Sequence, residues 1–170
     1  MFKLDILSLH WIDESADNPD DLCLHGNVVT KVGEEIFEYY ATVSAAALVL
    51  LRTLTENHAV GTDNQILPCC GHFMIANENL DSVEICGCPN GMDWNVTHEA
   101  NEDTNQIRIV TQNGNEVFIE FADYQKEVFE FADKVEEFYK KCAPKKMPDD
   151  NFEKNGYIAF WAEWRRRRYS

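Results

Sequence analysis

The sequence predicts an α+β fold: an antiparallel β-sheet of N-terminal strands plus a central meander, one buried helix after the first hairpin, and two C-terminal helices packed on the sheet. Three observations carry this. Short segments rich in Val, Ile, Phe and Tyr recur between turn residues, first up to Thr42 and again from His72 to Phe121. A nearly uncharged run, Ala45 to Leu54, has helical spacing. Beyond Asp123 the apolar residues recur every three to four positions, with one heavily charged and one aromatic stretch.

Phe2 to Trp11 alternates loosely, with Phe2, Leu4, Ile6 and Ser8 on one face, and reads as the first strand. After a loop at Asp13 to Asp21, Leu22 to Lys31 and Glu35 to Thr42 form a hairpin around Val32, Gly33 and Glu34. Ser44 is placed to cap a helix that ends near Asn57, with Ala46, Val49, Leu50 and Leu54 as its stripe. Its lack of charge predicts burial on most sides.

Five short strands follow as one meander: His72 to Ala76, Ser82 to Cys86, Met92 to His98, Gln106 to Thr111 and Glu116 to Phe121. In the last hairpin a two-residue Asn113-Gly114 turn would put Ile107 and Ile109 opposite in facing to Val117, Ile119 and Phe121. A three-residue loop ending at a left-handed Gly114 gathers all five on one face, and is the expected form. In the third of these strands Trp94 and Val96 are expected inward, with Asp93, Asn95 and Thr97 outward.

Asp123 then caps a second helix, with Tyr124, Val128, Phe131, Ala132, Val135, Phe138, Tyr139 and Cys142 as one apolar stripe. Pro144 and Pro148 separate it from an aromatic third helix, interrupted near Gly156, and both helices are expected on one face of the sheet.

A chain of 170 residues fits one domain, residues 1–170, and its 45% hydrophobic content suits a packed core despite a formal charge of -15. An acidic surface repels phosphate backbones and anionic lipids, so nucleic acid and membranes are poor partners and a basic protein is a good one. The longest apolar run, Ala45 to Leu51, is far short of the ~20 residues that cross a bilayer. The N-terminus carries Asp5 in its apolar stretch and lacks a small-residue cleavage site, so a cytoplasmic location with reduced thiols is expected.

The chemistry concentrates between Cys69 and Cys88. Placing Phe73, Ile75, Val83 and Ile85 on a common core face pairs Ile75 with Val83 and Phe73 with Ile85 across a five-residue loop, Asn77 to Asp81. Continued outward, that register sets His72 against Cys86 and Cys70 against Cys88, a square of candidate ligands with neighbours about 5 to 7 Å apart. Cys70, His72, Cys86 and Cys88 are thus the candidate zinc ligands, with Cys69 on the other face.

The spacing departs from the C-x₂-C of zinc knuckles, so thiols buried for packing beside a core histidine are the competing reading. A reversible Cys70 to Cys88 disulfide is a third, and adjacent Cys69 and Cys70 make no C-x-x-C redox pair.

Other features point to structure. His10, His25, His58 and His98 show no spacing that selects a catalytic base. The acidic loop Asp13 to Asp21 lacks EF-hand spacing. Arg165 to Arg168 are expected to meet the protein's own carboxylates or a partner subunit. P-loop, G-x-G-x-x-G, G-x-S-x-G and H-E-x-x-H motifs are absent from the sequence.

The leading expectation is a small acidic binding protein, without cofactor or catalysis, that engages a basic protein partner. Immunity proteins that neutralise basic nucleases share its profile of charge and size, an analogy that rests on no motif. The alternative is a zinc-binding module or metal-dependent enzyme built on the hairpin cluster.

Overall fold

Alternating apolar residues and one uncharged run build eight strands and three helices in a computed structural model, which describes residues 1–14, 16–61, 64–70, 73–100 and 104–170. In chain order these are β1 (Phe2–Ile6), β2 (His25–Val32), β3 (Glu35–Thr42), α1 (Val43–Arg52), β4 (Phe73–Ala76), β5 (Val83–Cys86), β6 (Trp94–Ala100), β7 (Asn105–Thr111), β8 (Glu116–Glu120), α2 (Phe121–Lys141) and α3 (Asn151–Tyr169). The α+β class with antiparallel pairing is as expected.

The strands form three separate ladders, β1-β2-β3, β4-β5 and β6-β7-β8, rather than a meander of five. Short bridges tie the β6 region to the chain that precedes β4, His58 to Val96 and Leu67 to Met92. The first strand stops at Ile6, short of the expected Trp11, although His10 still bridges to His25.

The β7–β8 hairpin takes the three-residue loop. Ile109 pairs with Val117 and Ile107 with Ile119, the Thr111 N–H donates to the Asn115 carbonyl, and Gly114 has a φ of +84°. That left-handed backbone suits glycine, which has no Cβ to clash.

Helix α1 is the centre of the molecule. It begins one turn edge earlier than the Ser44 cap predicts, because Thr42 stands at its N-cap and Ser44 is already helical. The Ser44 hydroxyl instead accepts the Leu24 N–H at 3.1 Å. Every residue from Val43 to Leu51 is buried, among β2, β3, α2 and α3. Leu48, Leu50 and Leu51, fully enclosed, stabilise the fold by about 1.5 to 3 kcal/mol each.

Helix α2 presents Tyr124, Val128, Phe131, Ala132 and Val135 to this core, and lies on α1, β1, β7 and β8. It starts at Phe121 with Glu120 as N-cap, so Asp123 sits in the first turn, where a carboxylate favours the helix dipole. Helix α3 covers β4 and β5, so the two C-terminal helices do not share one sheet face.

The third helix is also unbroken at Gly156. The Asp150 side chain caps it by accepting from the Phe152 and Glu153 N–H groups, and Gly156 lies buried where α3 meets β4. Glycine there allows a close approach of backbones, so it is a packing residue and not a breaker. Among the described residues no helix is long and apolar enough to cross a membrane.

A candidate thiol centre beside the β4–β5 hairpin

The β4–β5 register differs from the expected one by a single position. Phe73 pairs with Cys86, Met74 with Ile85, Ile75 with Glu84 and Ala76 with Val83. The core face is therefore Met74, Ala76, Val83 and Ile85, while Phe73 (57% exposed) and Ile75 (37%) look outward.

Two contacts set this slip, one within the hairpin and one from α3. The Asn77 side chain accepts the Asp81 and Ser82 N–H groups, at 3.0 and 3.2 Å, and Leu80 takes a φ of +55°, which closes a four-residue loop between Asn77 and Ser82. From α3, Gly156 brings helix backbone against Met74 and commits that side to the core.

A buried charge cluster on the same helix holds β5. Glu163 of α3 accepts from Arg52 Nε and Nη2, each at 2.9 Å, from Arg167 Nε at 2.7 Å and from the Val83 N–H at 3.0 Å. Arg52 also donates to the Val83 carbonyl. Sequence reasoning missed Glu163; its spacing of four residues before Arg167 was the readable signal, but Arg52 lies 111 positions away.

With the register moved, Cys86 stands apart from the other described members of the predicted square, Cys70 and Cys88. Cys70 and Cys88 are still brought together, with sulfurs 3.0 Å apart, and the Cys88 N–H points at the Cys70 sulfur at 3.5 Å. Cys69, assigned to the other face, is a member of the group: it is disulfide-bonded to Cys88, and its sulfur lies 3.3 Å from that of Cys70. Consecutive residues converge because Cys69 and Cys70 lie outside any strand, where the alternation of faces has no force.

Cys86 sits at the end of β5, with its sulfur 3.7 Å from a Glu84 carboxylate oxygen, and is not in the group. His72 lies outside the described residues. The expected Cys70 to Cys88 pairing gives way to Cys69 to Cys88.

The segment bearing the two cysteines is held from both sides. The Thr42 N–H donates to the Pro68 carbonyl at 2.9 Å, and Leu67 exchanges backbone bonds with Met92 at 3.0 and 2.9 Å. Tyr39 donates its hydroxyl to the Asn90 carbonyl, and burial, followed by the charge of Cys70, raises its pKa. The three sulfurs, all half-buried, lie within 4.8 Å of one another. A tetrahedral zinc ion with Zn–S bonds of about 2.3 Å needs sulfurs about 3.8 Å apart, so small side-chain rotations in the reduced form suffice.

Cys23, His58 and His98 are engaged within the fold. Burial, and then the Asp21 charge, push Cys23 up to about 12. His98 Nε2 bonds the Thr53 carbonyl at 2.9 Å, and His58 Nε2 bonds Asp93 Oδ1 at 2.7 Å. Asp93 itself departs from expectation, being buried (4% exposed) just before β6 begins. Comparison of the chain with protein-family models, with curated proteins and with solved structures finds no match, so the geometry alone bears on what the chain does.

Proposed function

We propose that the protein is a metal-binding module that holds zinc through Cys69, Cys70 and Cys88. The observation that carries this reading is the convergence of three sulfurs within 4.8 Å of one another on a segment pinned at both sides. Thiolates are the ligands that soft and borderline cations favour, and a tetrahedral zinc ion on three of them keeps its fourth position for another ligand. The Cys69–Cys88 disulfide is the oxidised form of that set. Two equivalents of a small thiol reduce it, leaving two protein thiols and one small-molecule disulfide; zinc then displaces the thiol protons.

Protein purified under reductant and without chelator is expected to carry close to one equivalent of zinc by elemental analysis. Less than about a tenth of an equivalent would end this reading, given how tightly structural sites hold the ion. Cys69→Ser and Cys88→Ser should each empty the site, whereas Cys86→Ser should leave it filled. The reverse ranking of Cys69 and Cys86 would restore the ligand square expected from the sequence.

A second reading, an acidic protein that engages a basic partner, is favoured by how the arginines are used. Arg167 pairs with Glu163 and Glu56, and Arg168 grips Asp133 through two bonds of 2.6 and 2.8 Å. Two of the four arginines of the C-terminal basic run are thereby spent within the molecule, and the chain as a whole carries a formal charge of -15. Immobilised protein is expected to retain a basic protein at about 50 mM salt and to release it as salt is raised, because screening shortens the reach of exposed charges. Retention of no basic protein at low salt would remove this reading.

A further inference from the structure

We propose that the free edge of β3 takes up an extended, basic segment of another protein as an added strand of the β1-β2-β3 sheet. The proposal rests on the reading that this acidic chain engages a basic partner, and gives that partner a place and a mode of binding.

Register fixes which backbone groups of β3, the outer strand of its sheet, look outward. On β2 the Asn27 carbonyl accepts the Leu7 N–H, and His25 exchanges both its backbone bonds with His10, so these two residues turn toward the β1 side. Their partners across the ladder, Tyr40 and Thr42, therefore turn away from β2, and alternation adds Glu38 and Ile36. The Thr42 N–H leaves the sheet in that direction to reach the Pro68 carbonyl. Among the described residues no hydrogen bond reaches the outward N–H and C=O groups of Ile36, Glu38 and Tyr40. All three residues are exposed, Ile36 at 65% and Tyr40 at 44%. Buried main-chain groups are nearly always paired, so these unpaired ones are held by water.

Other strand edges of the molecule are closed. On β1 the Leu4 N–H donates to Glu127 of α2 at 3.3 Å, and on β5 Glu163 and Arg52 take the Val83 N–H and carbonyl. Closure of this kind keeps an edge from pairing with another chain. Between Ile36 and Tyr40, β3 carries no such device among the described residues.

The side chains along the edge select the occupant. Ile36, Glu38 and Tyr40 share the outer face of the sheet, and Tyr40 is steadied by stacking on His10 and His25, with centroids 5.6 and 6.1 Å away. Burial, and then the charges of Glu14 and Asp21, raise the Tyr40 hydroxyl, so negative charge extends beyond Glu38 at that end. A strand with Lys or Arg opposite Glu38 and apolar residues opposite Ile36 and Tyr40 makes favourable cross-strand pairs. A second copy is the poorer occupant. The register that overlaps all three residues sets Glu38 against its own counterpart, and each copy carries a formal charge of -15.

The probe is a blocked peptide, acetyl-Thr-Val-Thr-Lys-Thr-Val-Thr-amide. Lying antiparallel to β3, it sets its lysine opposite Glu38 and its valines opposite Ile36 and Tyr40. Amide shifts and hydrogen exchange of the labelled protein are followed at about 20 mM salt, where exposed charges are little screened. In the free protein the Ile36, Glu38 and Tyr40 amides should exchange fast and those of Phe37 and Tyr39 slowly. The peptide should shift the first three saturably below about 10 mM and slow their exchange. A peptide with glutamate for lysine should bind at least about fivefold more weakly. So should one N-methylated at the lysine, which keeps its charge but loses its main-chain donor.

Glu38→Lys, at an exposed position, should reverse the preference between the lysine and glutamate peptides while the melting temperature is kept. The proposal is overturned by no saturable shift up to about 10 mM, by equal binding of the three peptides, or by an unreversed preference in Glu38→Lys. Shifts of the same amides with protein concentration alone would assign the edge to a second copy and overturn it too. A basic protein retained equally by the chain and by Glu38→Lys would reject the edge and leave the partner reading standing. Retention of none would remove that reading and the proposal with it.

Discussion

Replacing Glu163 by Gln is expected to cost about 3 to 5 kcal/mol, the usual penalty for removing one partner from a buried ionic cluster. Glu163 is fully buried and joins α1, β5 and α3 through Arg52, the Val83 N–H and Arg167. Loss of its charge leaves the enclosed Arg52 guanidinium without a counter-charge. For a chain of this length the penalty should lower the melting temperature by roughly 10 °C. A shift under about 2 °C would show that the cluster contributes little.

The same residue predicts how stability responds to acid. Burial alone would raise the Glu163 carboxyl, but the hydrogen bond and charge of Arg52, the Val83 N–H and Arg167 outweigh it and bring the pKa from an ordinary 4.5 to about 2. The depressed value means that the folded state favours the ionised form. Its contribution, about 3 kcal/mol, is fully present above pH 4.5 and is lost as pH falls from 4.5 toward 2. Urea titrations of the protein and of Glu163→Gln should therefore converge through that window and stay apart above it.

The second large effect is expected at Gly156. A Cβ built there would lie 2.0 Å from the Met74 carbonyl oxygen and 2.8 Å from both its carbonyl carbon and its Cβ. Alanine is the better helix former by about 1 kcal/mol, which alone would predict a gain. The overlap is with strand backbone, which has no rotamer to yield, so α3 must lift from β4 and the net change is a loss of about 2 kcal/mol or more. Denaturant midpoints settle the sign: a higher midpoint for Gly156→Ala would show that the helix is not seated on β4 by this contact.

What was legible in the sequence was whatever a local rule decides. The loop at Gly114 followed from keeping five apolar residues on one face, and the burial of α1 followed from its want of charge. The β4–β5 register was not local. Alternation allowed two pairings, and the one that buries Met74 wins because α3, some eighty residues later, brings Gly156 against it. The same slip left Cys86 aside from Cys70 and Cys88, the other described members of the expected square. Cys69 was missed because strand alternation was extended into residues that are not strand, and Asp93 because β6 starts one residue after it. Glu163 required knowledge of where Arg52 would be, which only the assembled fold supplies.

The burial of α1 bears on how the chain emerges from the ribosome. Synthesis proceeds from the N-terminus at about 5 to 20 residues per second, so Ala45 to Leu51 leave the exit tunnel seconds before the segments that become α2 and α3 exist. During that interval the greasiest stretch of the polypeptide has only the first three strands to shelter it. Nascent chains halted before residue 121 would therefore present a sticky surface to chaperones, and release of the full-length product would withdraw it.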